Sequence, residues 1–410
     1  MNIYLYETRI SALKLKPVCS TRPVFDLKCG AFSILERVKK IFPNDKIAVF
    51  VRKELKELLV EKNKININPK IVEDGLWLNS NIIWNQSLIE KFRNKDNIFS
   101  IKNKNVGFYL SAKKGNEWML KGGPVETQFS NFDLNLKKIS ISKNEFIEYL
   151  WDCINNNSNM LVSDTRYFKM GSINCSFDEK FFLINKKNIF IPKNAIIRTG
   201  VILDAKSGPI ILSKNVLIEP GAYLEGPLFI GEGVTIKACS KILQDSYIGP
   251  GCKIGGEIIE SIFQGWSNKQ HDGFLGNSYI GEWVNIGAGT NNSDLKNNYS
   301  TVKIFINNKE FDSQKLFIGL FMGDHSKSGI CTKFNTGTVV GVGSNIICSS
   351  FPPKNLKPFS WCNEINCVQY DFKKFVETAK RIKLRRNKVF SKSEEKLFYN
   401  IFKENEIDVD

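Results

Sequence analysis

The chain has 410 residues, 42% of them apolar, enough for two or three domains with real cores; no apolar run is long enough to span a membrane. Glu7 and Arg9 interrupt the start where a signal peptide would be apolar, so a cytoplasmic location is expected, and ten scattered cysteines without a CxxC pair or a His/Cys cluster predict reduced thiols rather than disulfides or zinc. The net charge of +16 comes from lysines spread along the whole chain rather than gathered on one face, so no nucleic-acid partner is expected, while anionic small molecules such as nucleotide sugars, sugar phosphates and coenzyme A stay compatible.

Residues 1–168 alternate between strand and helix patterns. Asn2 to Tyr6 is a short apolar strand, Phe32 to Phe42 a helix with Ile34, Leu35, Val38 and Ile41 on one side, and Lys46 to Val51 a second strand. Strands also fit Leu76 to Ile83 and Val106 to Ser111, and helices fit Lys53 to Lys62 and Asn144 to Asn155. That order predicts an open α/β sheet whose ligands sit beyond the C-terminal ends of its strands.

From residue 169 to 350 the pattern changes. Leu212, Ile218, Leu224, Ile230, Ile236, Ile242, Ile248 and Ile254 recur at a spacing of six, and four residues after each stands a second row of small or apolar residues, Val216 to Ile258. Neither a helix nor an ordinary strand has that period; one short strand and one turn per hexad does, with the aliphatic row stacked inward from coil to coil in a β-helix. The row is interrupted near residues 263–279, resumes at Ile280 and Ile286, and returns after 291–317 as Ile318, Ile330, Thr336 and Val342, with Met322, Phe334, Val340 and Ile346 as its companions. Pro352, Pro353 and Pro358 then mark a break before a helical tail over 351–410. In it Phe372, Phe375, Val376, Ala379 and Ile382 keep helical spacing, and Ser391 with Glu394 forms a capping box ahead of a second helix. The intervening cluster Lys380, Arg381, Lys383, Arg385, Arg386 and Lys388 reads as a solvated face or as a partner for coenzyme phosphates.

Both histidines of the chain fall where the hexad rhythm is disturbed. A neutral imidazole at a coil corner suits removal of a proton from an attacking amine; a histidine merely hydrogen-bonded or solvated is the alternative. Insertions on solenoids commonly line the binding face, which brings the site reading of His271 and His325 level with that alternative.

The stretch His271-Asp-Gly-Phe-Leu-Gly, followed by Tyr279-Ile-Gly and Val284-Asn-Ile-Gly-Ala-Gly-Thr290, resembles the acetyltransferase motif of the bifunctional N-acetylglucosamine-1-phosphate uridylyltransferase/glucosamine-1-phosphate acetyltransferase family. The segments Gly323-Asp-His-Ser-Lys327, Phe334-Asn-Thr-Gly-Thr338, Pro358-Phe-Ser-Trp361 and Thr21-Arg-Pro-Val-Phe-Asp-Leu-Lys-Cys-Gly30 are similar to a divergent bacterial branch described as sugar nucleotidyltransferases. The resemblance implies a nucleotidyltransferase-like α/β domain, a left-handed parallel β-helix and a short helical tail. It also implies a homotrimer with acetyl-CoA bound between adjacent β-helices. His271 would be the general base, with Lys269, Asp294, Lys296 and Tyr299 on the sugar phosphate. Gly287, Ala288, Gly289, Asp324 and His325 would lie at the coenzyme. In the N-terminal half Arg22, Lys28, Asn79 and Asn81 would meet UTP or dTTP, with Mg²⁺.

Two departures bear on that half. The segment Glu7 to Ser20 has no glycine, where the family cradles a triphosphate in a Gly-rich loop, and Asn79-Ser-Asn81 replaces the family's metal-bearing Asn-Gly-Asp. Losing a carboxylate weakens the expected Mg²⁺ affinity. The functional expectation is therefore nucleotide-sugar biosynthesis of the UDP-N-acetylglucosamine type by both halves. The alternatives are acetyl transfer alone and a non-catalytic, nucleotide-sugar-binding trimeric scaffold.

Overall fold

The computed structural model describes residues 1–62, 65–91, 97–129, 137–178 and 180–405. Its first part is a sheet of β1 (Asn2–Tyr6), β2 (Lys46–Phe50), β3 (Asn66–Ile67), β4 (Gly75–Asn79), β5 (Asn97–Ile101), β6 (Lys104–Leu110) and β7 (Lys137–Ser140), in the order β3-β2-β1-β4-β6-β5-β7. β1 runs parallel to β2 and β4, whereas β6 is antiparallel to both of its neighbours. Alternation along β1 sends Ile3 and Leu5 into one core and Tyr4 and Tyr6 into another, where Tyr4, Phe50, Trp77 and Trp118 pack ring on ring. Around the sheet lie α1 (Arg9–Lys14), α2 (Ile34–Ile41), α3 (Lys56–Lys62) and α4 (Leu150–Asp164). A Ser33/Glu36 capping box starts α2. The helix expected from Asn144 begins only at Leu150, because Lys143–Glu145 forms a separate 3₁₀ turn.

The second part is the β-helix. Its three parallel sheets are stacked coil on coil, as the register of Ile218 on Ile236 on Ile254, Leu224 on Ile242 on Ile258, and Ile230 on Ile248 on Phe263 shows. We call these the first sheet (through Leu217–Ile218 and Asn268–Lys269), the second (through Tyr223–Glu225 and Phe274–Gly276) and the third (through Leu228–Ile230 and Leu320–Met322).

The structure corrects two expectations about the rhythm. Near 263–279 the chain never leaves the coil: the corners are shorter, and Phe263, Lys269 and Leu275 take the inward slots in register with Ile248, Ile254 and Ile258. A lysine in an aliphatic slot hid that continuity from the pattern. After the true excursion, a hairpin of Lys303–Ile306 against Lys309–Asp312, the inward row is Met322, Phe334, Val340 and Ile346, while Ile330 points into solvent at 75% exposure. The excursion keeps the six-residue phase of Ile280 and Ile286, so Met322, Phe334, Val340 and Ile346 continue their row and the row taken as companion is the core. The stack also continues past Pro352 and Pro353 through Asn355–Leu356 and Ser360–Cys362.

A further correction concerns sulfur. Cys362 and Cys367 stand opposite each other across the antiparallel pair that closes the stack and are joined as a disulfide. Spacing without a CxxC signature did not reveal it; pairing across a hairpin did.

The third sheet is apolar on both sides. Its inward residues fill the β-helix, and outward Ile211, Phe229, Tyr247, Ile262, Tyr279, Phe321 and Val339 join the core of the α/β part. The helical tail, α5 (Phe372–Leu384) and α6 (Lys392–Glu404), seals the corner between the third and first sheets. There Trp266, Trp283, His325 and Phe359 each take a positive φ, so the same corner of successive coils projects a ladder of rings. Trp266 and Trp283 stack at 5.4 Å, and His325 lies against Trp283 with Phe375, Phe390 and Phe398 edge-on to it.

Candidate functional site

His271 occupies the corner between the first and second sheets and is exposed. Among the described residues its ring has no hydrogen-bonding partner. Its backbone is held firmly by contrast. Lys269 Nζ donates to the His271 carbonyl at 2.7 Å, and the Gly289 N–H of the next coil donates to the Asp272 carbonyl at 3.0 Å. Lys269 itself lies inside the prism at 1% exposure rather than on the surface where a sugar phosphate would dock.

The glycine motif stacks directly on this corner. Asn285 bridges Asn268 in register, placing Gly287, Ala288 and Gly289 over the His271 corner. Gly287 is required by close packing: a Cβ there would stand 2.2 Å from the Gly329 carbonyl oxygen. Two of the three N–H groups expected to assist a coenzyme are committed internally, Gly287 to Ser328 Oγ at 3.0 Å and Gly289 to Asp272. Asp294 and its loop stand at the other end of the second sheet, where Asn277 Nδ2 donates to Asp294 Oδ2 at 3.0 Å. Lys296 Nζ donates to the Thr301 carbonyl at 2.6 Å and so braces its own loop, while Tyr299 is 71% exposed. Within one chain, a three-residue strand, about 10 Å of extended backbone, lies between the two groups.

Asp324 and His325 are far from any such opening. Asp324 is buried against the α/β part, accepting from Thr21 Oγ1 at 2.6 Å and pairing with Arg22, whose other arm is 3.5 Å from Glu282. His325 is 1% exposed inside the ring cage with neither ring nitrogen bonded. Burial, and then the charges of Lys327, Lys383, Lys62 and Arg22, hold its pKa well below the ordinary histidine value, so it is neutral at pH 7. The basic cluster of the tail is likewise used structurally. Lys383 pairs with Glu394 at 2.5 Å, Arg386 donates to Asn268 Oδ1 at 2.8 Å and Lys388 lies over the Trp266 ring.

In the N-terminal half the expected nucleotide residues are spoken for. Arg22 is paired as above, and Lys28 Nζ is 2.7 Å from Glu36. Both line a cavity of about 360 Å³ between the α/β part, the β-helix and α6, together with Asp26, Glu282, Asp324 and Glu394. Asn79 Oδ1 accepts from the Asn81 N–H at 2.8 Å and Asn81 Nδ2 donates to the Ile147 carbonyl at 2.6 Å. One orphaned oxygen, Asn81 Oδ1, faces no carboxylate cluster; among the described residues no three His, Cys, Asp or Glu side chains converge as metal ligands. These residues do not fit Mg²⁺, which takes carboxylate and water oxygens in an octahedron. The place of a Gly-rich loop is filled by α1 and by Glu7, which accepts from the Val24 and Arg52 N–H groups and pairs with the Arg52 side chain at 3.0 Å.

Sequence reasoning missed Glu282, Glu7 and Arg52, since each acts through a partner remote in sequence. Lys269 carried a readable signal, its phase between Ile254 and Ile286.

Residues 3–173 match the family described as sugar nucleotidyl transferase. The chain is 30% identical over 183 residues to the bifunctional protein GlmU of Wigglesworthia glossinidia brevipalpis, covering 42% of this chain and 36% of that one. It is 32% identical over 141 residues to the bifunctional sugar-1-phosphate nucleotidylyltransferase/acetyltransferase of Sulfurisphaera tokodaii, covering 34% and 35%. With GlmU of Anaplasma marginale it shares 28% over 200 residues, 46% of this chain and 40% of that. The matched stretch thus spans only about a third to two fifths of each of these relatives. No helix among the described residues is long and apolar enough to cross a membrane.

Proposed function

We propose that this divergent relative of the bifunctional sugar-1-phosphate nucleotidyltransferase/acetyltransferases moves an acetyl group from acetyl-CoA to the amine of an amino-sugar phosphate at the His271 corner. The observation that carries this reading is an exposed, unbonded imidazole on a backbone pinned from two sides, with the Gly287-Ala-Gly289 coil stacked on it. In the proposed step His271 takes the proton of the attacking amine, the C–N bond forms, the thioester C–S bond breaks, and the coenzyme leaves as its thiol after protonation. Asp294, Lys296 and Tyr299 meet that imidazole most simply in a homotrimer, where the loop of one copy reaches the corner of the next. Purified protein with glucosamine-1-phosphate and acetyl-CoA should release free thiol, and His271→Ala should lower kcat by about 10²–10⁴-fold, the usual worth of a general base. No thiol release by the native protein, or an alanine variant as fast as native, would sink the reading.

Nucleotidyl transfer is the second reading, favoured by the match over residues 3–173. Against it stand the Arg22 and Lys28 ion pairs, which a nucleotide phosphate would have to displace. We expect little or no nucleotide sugar from sugar-1-phosphates with UTP or dTTP and Mg²⁺; rapid formation of one would reverse the order of the two readings.

A further inference from the structure

We infer that Lys269 is a positioning residue for His271, an ammonium set inside the β-helix in the slot of an aliphatic row residue, which pins the His271 corner from within. The inference rests on the acyl-transfer reading of His271. Lys269 pairs in register with Ile254 below, and its neighbour Asn268 bridges Asn285, which sets Ile286 above it, so both neighbours in its row are aliphatic. A buried charge persists only where polar groups receive it. Here the Gly255 carbonyl accepts from Nζ at 3.2 Å and the His271 carbonyl at 2.7 Å, so one ammonium ties two successive coils at the same corner. The space it needs is kept by Gly256, whose φ is +75° and where a Cβ would stand 2.7 Å from Nζ. Asp272 is the charged group facing it, and burial outweighs that carboxylate, lowering the lysine pKa to about 8. Lys269 is therefore still mostly charged at pH 7. It touches neither solvent nor any surface a substrate could use, and its reach ends on the backbone of the residue whose ring we assign to catalysis.

A scaffold role and a positioning role differ in what Lys269→Met should do. The thioether chain suits the apolar row, so a residue whose only task is filling should be replaced without loss, and one that holds the fold should cost stability. Positioning predicts a third pattern. The full-length variant should melt at or above the native temperature, lose about ten-fold or more in kcat with KM nearly unchanged, and shift or broaden the His271 imidazole signal. With two histidines in the chain and His325 buried, labelling the histidine rings leaves one exposed signal to follow. Native kcat with an unmoved His271 signal in the methionine variant would overturn the inference, as would a loss of kcat that merely tracks a lower melting temperature. The two levels separate cleanly. Failure of thiol release, or full activity of His271→Ala, removes the acyl-transfer reading, whereas the imidazole signal alone decides whether Lys269 holds the corner.

Discussion

The buried arginines act in pairs, and Arg22, Arg37 and Arg52 each meet a carboxylate remote in sequence. Asp164 accepts from the Arg37 guanidinium and from the Ala31 N–H at 2.9 Å, all fully buried, and so fixes the segment that leads into α2. Removing one partner leaves an uncompensated buried charge, so Asp164→Ala should cost about 3–5 kcal/mol in urea unfolding. Lys269 is the opposite case, a buried cation held by backbone carbonyls rather than by a salt bridge. Its folded pKa lies below its unfolded value, so above about pH 8 the unfolded state binds the extra proton and stability should rise with pH up to about 10.5. Lys269→Met should remove its share of that rise, leaving the share of Lys327, which burial also lowers to about 8, and add about 1–3 kcal/mol at pH 7, measured by the same unfolding curves. Arg22 and Lys28 are expected from the sequence to meet a nucleotide, and both are held in ion pairs, because charge in a sequence does not reveal its counter-ion. Glu282 and Asp324 reach Arg22 only because the β-helix is folded against it.

Elements were legible where a period or a cap marked them. The strand Asn2–Tyr6, the capping box of α6 and the six-residue row all stand as the pattern predicts, since each depends on neighbours within a turn or a coil. The tail helices were legible as helices but not as a lid, because their aromatic faces match a corner ladder built from four separate coils. His325 in that ladder makes the docking sensitive to acid. It is neutral when folded and gains a proton when freed, so the unfolded state binds more protons between its lowered pKa and the free value of about 6.5. Stability of the tail should therefore fall as pH drops below about 6.5, read as a change in fluorescence of Trp266 and Trp283. His325→Phe should flatten that dependence; an unchanged pH profile in the phenylalanine variant would place the effect elsewhere.

At the scale of the whole molecule, the third sheet joins what the pattern divides into separate segments. Phe229, Tyr247, Tyr279 and Phe321 leave the β-helix outward and are 7% exposed or less, packed against α4 and the segment before α2. Polar bonds register the contact: the Lys28 N–H donates to Tyr279 Oη at 2.9 Å, and Asn157 Nδ2 to the Asp245 carbonyl at 2.8 Å. The α/β part and the β-helix should then unfold in one cooperative transition, and Phe321→Ala, costing about 3–5 kcal/mol, should lower the whole of it. Two well-separated transitions in calorimetry would contradict a shared core.

The amino-acid sequence by itself determined the coil, because a six-residue period is a local property that every hexad repeats. It also marked His271 and the Gly287-Ala-Gly289 coil through a motif written in consecutive residues. Tertiary structure alone decided that the β-helix packs on the α/β part and that Glu282 and Asp324 neutralise Arg22. Those outcomes depend on distances between residues tens to hundreds of positions apart, and such distances exist only once the chain has coiled and closed on itself.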